Sequence, residues 1–297
     1  MSERNFQAMK FTRQTSLKTL LEVTGPGMSA LATAPVIGAI TRGVEAYCAF
    51  LQGKGGQGGE RAHAWEVAAA LNCIFRERPV IIDAGAAVGQ WSRTFLDRRP
   101  DARMVMIEPQ PASYAAIERL ALPDATLLAS ALGDQPGTAT LHAPKDAAVV
   151  ASFHKRRDSR WKDLKYDDFE VPVTTVSEIA RMHDLDFIDF LKMDIEGHEL
   201  AALRGAEEVM SRSGLGGIAF EFGPGNVNSR TMFVDFFELL DGCGFEIFRV
   251  RPGGGLLPVP QYDEDCEFYR GTCNYVARLR DHPYHPRNRT SKRGRRP

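Results

Sequence analysis

The chain has 297 residues, 43% of them hydrophobic and 25% charged, with a formal net charge of −1. That is ordinary globular composition, sufficient for one large domain with an appended segment, and it argues against a generally basic nucleic-acid binder. The five cysteines, at 48, 73, 243, 266 and 273, show neither a C-x-x-C pair nor a grouping with histidines, so a reduced, cytoplasmic setting is expected.

The N-terminus, MSERNFQAMKF, lacks the apolar core of a signal peptide, and the apolar run from Met28 to Ile40 is short and contains Pro35. No transmembrane span is expected. Residues 1–78 read as a helical N-terminal segment, with Leu17, Leu20 and Leu21, and later Val44, Tyr47, Cys48 and Leu51, at helix spacing. The run GKGGQGG, Gly53 to Gly59, is a flexible joint or a plain surface loop ahead of a helix around His63 to Phe75. This segment is a candidate lid and a candidate surface for homo-oligomer formation.

Beyond Pro79 strands and helices alternate. Strands are expected at Val80–Ala84, Met104–Ile107 and Thr126–Ala129, with helices at Gln90–Leu96 and Ala112–Leu120 between them. A β-rich insert follows, with Thr138–His142, Ala148–Phe153 and Phe169–Thr174 around a polar stretch whose Lys155, Arg156 and Arg157 are candidates for contact with a glycan. The pattern resumes with strands Asp189–Met193, Gly217–Phe222, Phe245–Val250 and Asn274–Leu279, and helices His198–Leu203 and Met232–Leu240. The expectation is an α/β fold over residues 79–280, a seven-stranded, mostly parallel sheet with an antiparallel last strand. The final seventeen residues, 281–297, carry six basic side chains against Asp281 and read as a disordered basic tail, either solvated or touching a polyanion or a membrane surface.

Two stretches carry chemistry. In VIIDAGAAVG a buried strand ends in Asp83 and a glycine turn leads into a helix. An acid there repels a dinucleotide pyrophosphate, and D-x-G-x-x-x-G differs from the dinucleotide fingerprint. It suits S-adenosylmethionine (SAM), whose ammonium and sulfonium are positive. A tight turn with no ligand is the plainer reading of the same residues. Glu108, ending the second strand in IEP, is placed to take both ribose hydroxyls, and Asp134 in ALGD to accept from an adenine amine. The second stretch, FLKMDIEGHELAALRGA, brings Lys192, Asp194, Glu196 and His198 to the same crevice, with Glu221 on the next strand. Lys192 is expected to neutralise Asp194 or Glu196. His198, Asp194 or Glu196 are alternative general bases, and Asp194 with Glu221 are alternative ligands for Mg²⁺.

Together VIIDAGAAVGQWS, MIEPQP, SALGD, VPVTTVSEI, LKMDIEGHELAALRGA and IAFEFGP resemble the FkbM-type methyltransferases, over roughly Pro79 to Leu279. The resemblance implies a class I methyltransferase Rossmann-like fold and O-methylation of a sugar or polyketide-type hydroxyl. It places SAM on Asp83, Gly85, Ala86, Gly89, Glu108 and Pro109, and Asp194 and Glu196 at the reacting end. Where the family usually has Asn before the small residue after the third strand, this chain has Ser130 before Ala131. An N- or protein methyltransferase, and a non-catalytic SAM-binding assembly domain, are the competing readings.

Overall fold

The computed structural model describes Thr19, residues 22–27, Ser29, and residues 34–56, 60–145, 150–158 and 163–286. The chain divides into two compact units, Met1–Cys48 and Ala49–Pro297. The helix α1, Pro35–Leu51, crosses that division and carries Val36, Ile40, Val44, Tyr47 and Leu51 on one face. Glu60–Leu71 forms α2, which lies in the larger unit instead of in a segment ending at 78. The reason is burial: Val67, Ala69 and Ala70 of α2, and Cys73 just past its end, are in the core with Ile81, Met104 and Phe190. The polar stretch is described only in part, and Gln57–Gly59, Ala148–Val149 and the basic residues from Arg287 onward lie outside the described residues. The start of the tail folds back: His282 is buried and meets the Phe75 and Phe187 rings edge-on.

The strands are β1 (Val80–Ala84), β2 (Arg103–Ile107), β3 (Ala125–Leu128), β4 (Ala131–Leu132), β5 (Gly137–Pro144), β6 (Tyr166–Thr174), β7 (Phe190–Met193), β8 (Gly217–Phe222), β9 (Phe245–Val250), β10 (Leu256–Val259) and β11 (Cys273–Leu279). The main sheet has eight strands in the order β10-β9-β11-β8-β7-β1-β2-β3. All seven expected strands are present, and β10, antiparallel to β9, adds an eighth at the edge. Strands β3, β2, β1, β7 and β8 are parallel, and β11 runs antiparallel to both β8 and β9. The insert is a separate three-stranded sheet, β4-β6-β5.

The helices that follow α2 are α3 (Gln90–Leu96), α4 (Pro111–Glu118), α5 (Val176–Met182), α6 (Glu199–Arg204), α7 (Glu207–Ser211), α8 (Pro224–Ser229) and α9 (Phe233–Gly242). Local sequence sets their starts: Gln110 caps the Ser113 amide ahead of Pro111, and Thr175 caps the Glu178 amide. Successive strand residues point to opposite faces of the sheet. Ile81, Met104 and Met106 pack with α2 and α3, whereas Ile82, Val105 and Ile107 pack with α5, α6 and α9. Among the described residues no helix is long and apolar enough to cross a membrane.

Candidate active site

Two charges sit beneath the carboxyl ends of the central strands. Parallel pairing puts Asp83 of β1 in register with Lys192 of β7. Lys192 Nζ lies 3.0 Å from Asp83 Oδ1, and the Ser92 hydroxyl on α3 donates to Asp83 Oδ2 at 2.6 Å. Lys192 also donates to the Gly85 carbonyl at 3.1 Å and stands 3.8 Å from Asp194 Oδ2. Burial alone would lower the lysine's pKa, but Asp83, Asp194 and Glu66 outweigh it and hold the ammonium above its ordinary value. Two expectations change here. Asp83, wholly buried and committed to Lys192 and Ser92, is closed to a ligand. Asp194 is only the second partner of Lys192, because strand register places Asp83 nearer.

Beyond Ala84 the chain turns through Gly85 at φ 71°. A methyl group at that position would overlap the Asp194 carbonyl oxygen, so the turn lies directly against the end of β7. Beside it runs a slot walled by Ala84, Ile107, Pro109, Ala131, Leu132 and Phe153, with Glu108 and His198 also on its lining. Glu108 Oε2 accepts from the Ala87 amide at 2.8 Å and Oε1 from the Gln110 amide at 2.9 Å. A carboxylate has about four acceptor positions, so each oxygen keeps one for a neighbouring diol. Burial pushes Glu108 up to about 7 against the pull of those two amides.

Other expected slot residues do different work. Ala86 lines the adjoining cavity instead. Gly89 opens α3 at φ 75°, and a methyl there would press on Leu120, so it serves packing against the end of α4. Ser130 is buried and donates to the Pro172 carbonyl at 3.0 Å, tying the insert down. Asp134 is exposed and off the slot lining. His198 stands edge-on to Phe153, centroids 4.8 Å apart. Burial, with His154 adding to it, pushes its pKa down to about 4, leaving a neutral wall residue in the slot. It shares the slot lining with Asp194 and Glu196 and is absent from the lining of the larger cavity.

The adjoining cavity, about 470 Å³, opens on the far side of Gly85. Asp194 lines both spaces and marks their junction. Glu196, at φ 57°, is ion-paired with Arg156, and its carbonyl accepts from the Ser152 hydroxyl at 2.8 Å. Burial and then Asp194 raise its pKa to about 7, against Arg156. Glu221 accepts from the Thr272 hydroxyl at 3.0 Å, and desolvation with Asp194, Glu196 and Glu199 around it keeps its carboxyl protonated well above the usual range. Among the described residues no group of three or more His, Cys, Asp and Glu is placed to hold a metal ion. The Mg²⁺ expectation on Asp194 and Glu221 finds no support in such a grouping. Glu199, buried at the start of α6, accepts from the Ile195 and Gly197 amides and shapes the turn.

The sequence model described as the methyltransferase FkbM domain matches residues 83–247, more than half of the 297-residue chain. The chain belongs to the FkbM methyltransferase family. Its sheet is the Rossmann-like arrangement of class I methyltransferases, with an added edge strand. Methyltransferase sdnD of Sordaria araneosa is 30% identical over 158 residues, covering 44% of this chain and 61% of that protein. The 2-O-methyltransferase NoeI of Sinorhizobium fredii is 26% identical over 157 residues, covering 48% and 63%. The chain thus spans about three fifths of the length of these curated relatives. Among solved structures, Aeropyrum pernix fibrillarin with bound SAM aligns at 16% identity, over 72% of this chain and 76% of that one, with a TM-score of 0.39.

The slot is the place we propose for an adenosyl group. Its walls are apolar, Gly85 leaves the backbone bare, and Glu108 retains acceptor positions for a ribose. Glu108→Ala is expected to weaken S-adenosylhomocysteine (SAH) binding about 10- to 100-fold, the ~1.5–3 kcal/mol of a hydrogen bond to a charged group. Calorimetry showing wild-type affinity would remove Glu108 from the cofactor site. Some cavity residues lie outside the family-matched segment: His63 and Glu66 on α2, and Thr272 and Asn274 at the start of β11. The reading of the sequence missed all four, and Arg156 as the partner of Glu196. One signal existed, since Glu66 falls on the stripe Ala62, Ala69 and Ala70 that α2 buries.

Proposed function

We propose that this FkbM-family protein transfers the methyl group of SAM to a hydroxyl of a sugar or similarly polyhydroxylated small molecule. The observation that carries the reading is the acid-lined cavity joined to the slot at Asp194. Carboxyl groups suit a ligand made of hydroxyl donors, and the buried Trp91, which lines the cavity, has an indole N–H with no hydrogen-bond partner among the described residues. The name of the relative NoeI, a 2-O-methyltransferase, agrees with it.

Bound SAM supplies an electrophilic methyl group on a positively charged sulfur. In this reading Glu108 holds the ribose, and Phe153, His198 and Leu132 wall the adenine. Asp194 at the junction provides negative charge beside the reacting centre, tempered by Lys192 3.8 Å away. Glu196, held by Arg156, orients the acceptor hydroxyl. Positioning two reactants in line supplies a large part of such an acceleration. The five free cysteines agree with a reducing, cytoplasmic setting. The apolar face of α1 remains a proposed surface for a second copy of the chain.

The acidity of the cavity also favours a second reading, methylation of a cationic amine on a small molecule or protein. Tritiated SAM offered with methyl glycosides and with amino sugars separates the two, since label in the neutral glycosides is expected only from the first. Asp194→Asn is expected to lower turnover about 100-fold and SAM affinity about 10-fold, the effect of losing ~1.4 kcal/mol of charge attraction, while neutral-sulfur SAH binds nearly as before. Equal loss for both ligands in calorimetry would place Asp194 away from the sulfur.

A further inference from the structure

We propose that Glu66, carried by α2 outside the family-matched segment, receives the proton of the acceptor hydroxyl during methyl transfer. The inference rests on the O-methyltransferase reading above and goes further by naming the base.

It follows from what the other acids are doing. Asp83 is sealed under Lys192 and Ser92. Glu108 belongs to the slot. Glu199 is spent on the Ile195 and Gly197 amides and Glu196 on Arg156, while Glu221, which accepts from the Thr272 hydroxyl through one oxygen, is held in its protonated form by burial and the acids around it and has no charge with which to take a proton. Asp194 lies at the junction, where its charge serves the positive sulfur. Glu66 lines the acceptor cavity and not the slot, on the sheet face that Asp83 and Lys192 share. Its Oε1 accepts from Asn274 Nδ2 at 2.7 Å, which fixes the carboxyl plane. Its Oε2 is 3.9 Å from His63 Nδ1, beyond hydrogen-bond length, and can take a hydroxyl proton.

The groups facing Glu66 are His63 on its own helix, Lys192 and Asp194 at the end of β7, Asp83 on β1, Glu221 on β8 and Asn274 on β11. Burial, then Asp194 and Asp83, raise Glu66 to about 7, with Lys192 and Asn274 opposing. A base so placed is poised for proton transfer near neutrality. In the step, the acceptor O–H bond breaks and its proton goes to Glu66 Oε2, while the oxygen gains the methyl carbon. The electron pair of the broken carbon–sulfur bond stays on sulfur.

The test uses full-length protein with ¹³C-carboxyl glutamate, the Glu66 signal being identified by its loss in Glu66→Gln. Without ligand the signal is expected to titrate near 7, and SAM, but not SAH with its neutral sulfur, is expected to move that titration to lower pH. In the activity arm, tritiated SAM is offered with methyl α-L-fucopyranoside, methyl α-L-rhamnopyranoside and methyl β-D-glucopyranoside. Glu66→Gln is expected to lower kcat about 100-fold and abolish its fall on acidification, with SAH affinity unchanged, and Glu66→Asp to recover part of the rate. An ordinary titration near 4.5, or one that SAM does not move, overturns the proposal, as does an unchanged kcat profile in Glu66→Gln. If none of the glycosides is labelled, the sugar reading fails, and the carboxyl titration still decides the standing of Glu66.

Discussion

Lys192→Met is expected to destabilise the protein by about 3–5 kcal/mol, because it removes the cation that, among the described residues, is paired with a wholly buried carboxylate. Asp83 would keep the Ser92 hydroxyl but would carry an uncompensated charge or take up a proton in the core of the sheet. For a domain of this size that loss corresponds to a fall in Tm of roughly 10 °C or more. The companion variant separates charge from shape. Asp83→Asn combined with Lys192→Met removes both ends of the pair, and much of the lost stability should return, since replacing a whole buried pair costs far less than breaking one. Urea unfolding of the two variants gives the comparison. A loss below about 1 kcal/mol in the single variant would mean that water reaches the pair.

Gly85→Ala is expected to abolish cofactor binding in a protein that still folds. Two penalties coincide at this position. The backbone sits at φ 71°, where an L side chain is strained by about 1–2 kcal/mol, and the new methyl overlaps the Asp194 carbonyl oxygen. The second penalty cannot be relieved by a rotamer, because both colliding atoms are fixed to backbone. The turn must move off the end of β7, and Ala87, whose amide holds Glu108, moves with it. SAH affinity is expected to fall more than 100-fold by calorimetry, with the far-ultraviolet circular dichroism retained. Binding within a few-fold of wild type would show that the turn and β7 are less tightly apposed than the geometry requires.

Much of the fold was legible because its signals are local and periodic. Ile81 and Ile82, or Met104 and Val105, alternate between two helical layers, and such alternation with intervening helices leaves few other arrangements. The missed strand β10 contains Pro258, which reads as a breaker in sequence. It is tolerated because β10 pairs with β9 alone, so one side of the strand needs no donor. Site residues divided in the same way. Gly85 and Glu108 are placed by the turn that contains them or by the end of their strand, so their position beside the slot is legible locally. The fate of Asp83 depends on its register with Lys192, more than a hundred residues away in sequence. His198 is a slot wall because Phe153 of the insert folds against it, and Arg156 reaches Glu196 by the same route. Neither juxtaposition has a sequence period. Glu66 differs again: a charge within the buried face of an alanine-rich helix carries no motif, and only the packing of α2 on the sheet brings it to the cavity.

The position of β11 between β8 and β9 has a consequence for synthesis on the ribosome. The hairpin of β9 and β10 leaves the exit tunnel first, yet its only seat on the sheet is the far edge of β11, made later. Until residues 273–279 emerge, β8 and β9 both present bare backbone edges, the kind that pair with foreign strands. A nascent chain of this protein is therefore most exposed to misassembly in that interval, and a trimmed version ending just after β10 would remain in it permanently.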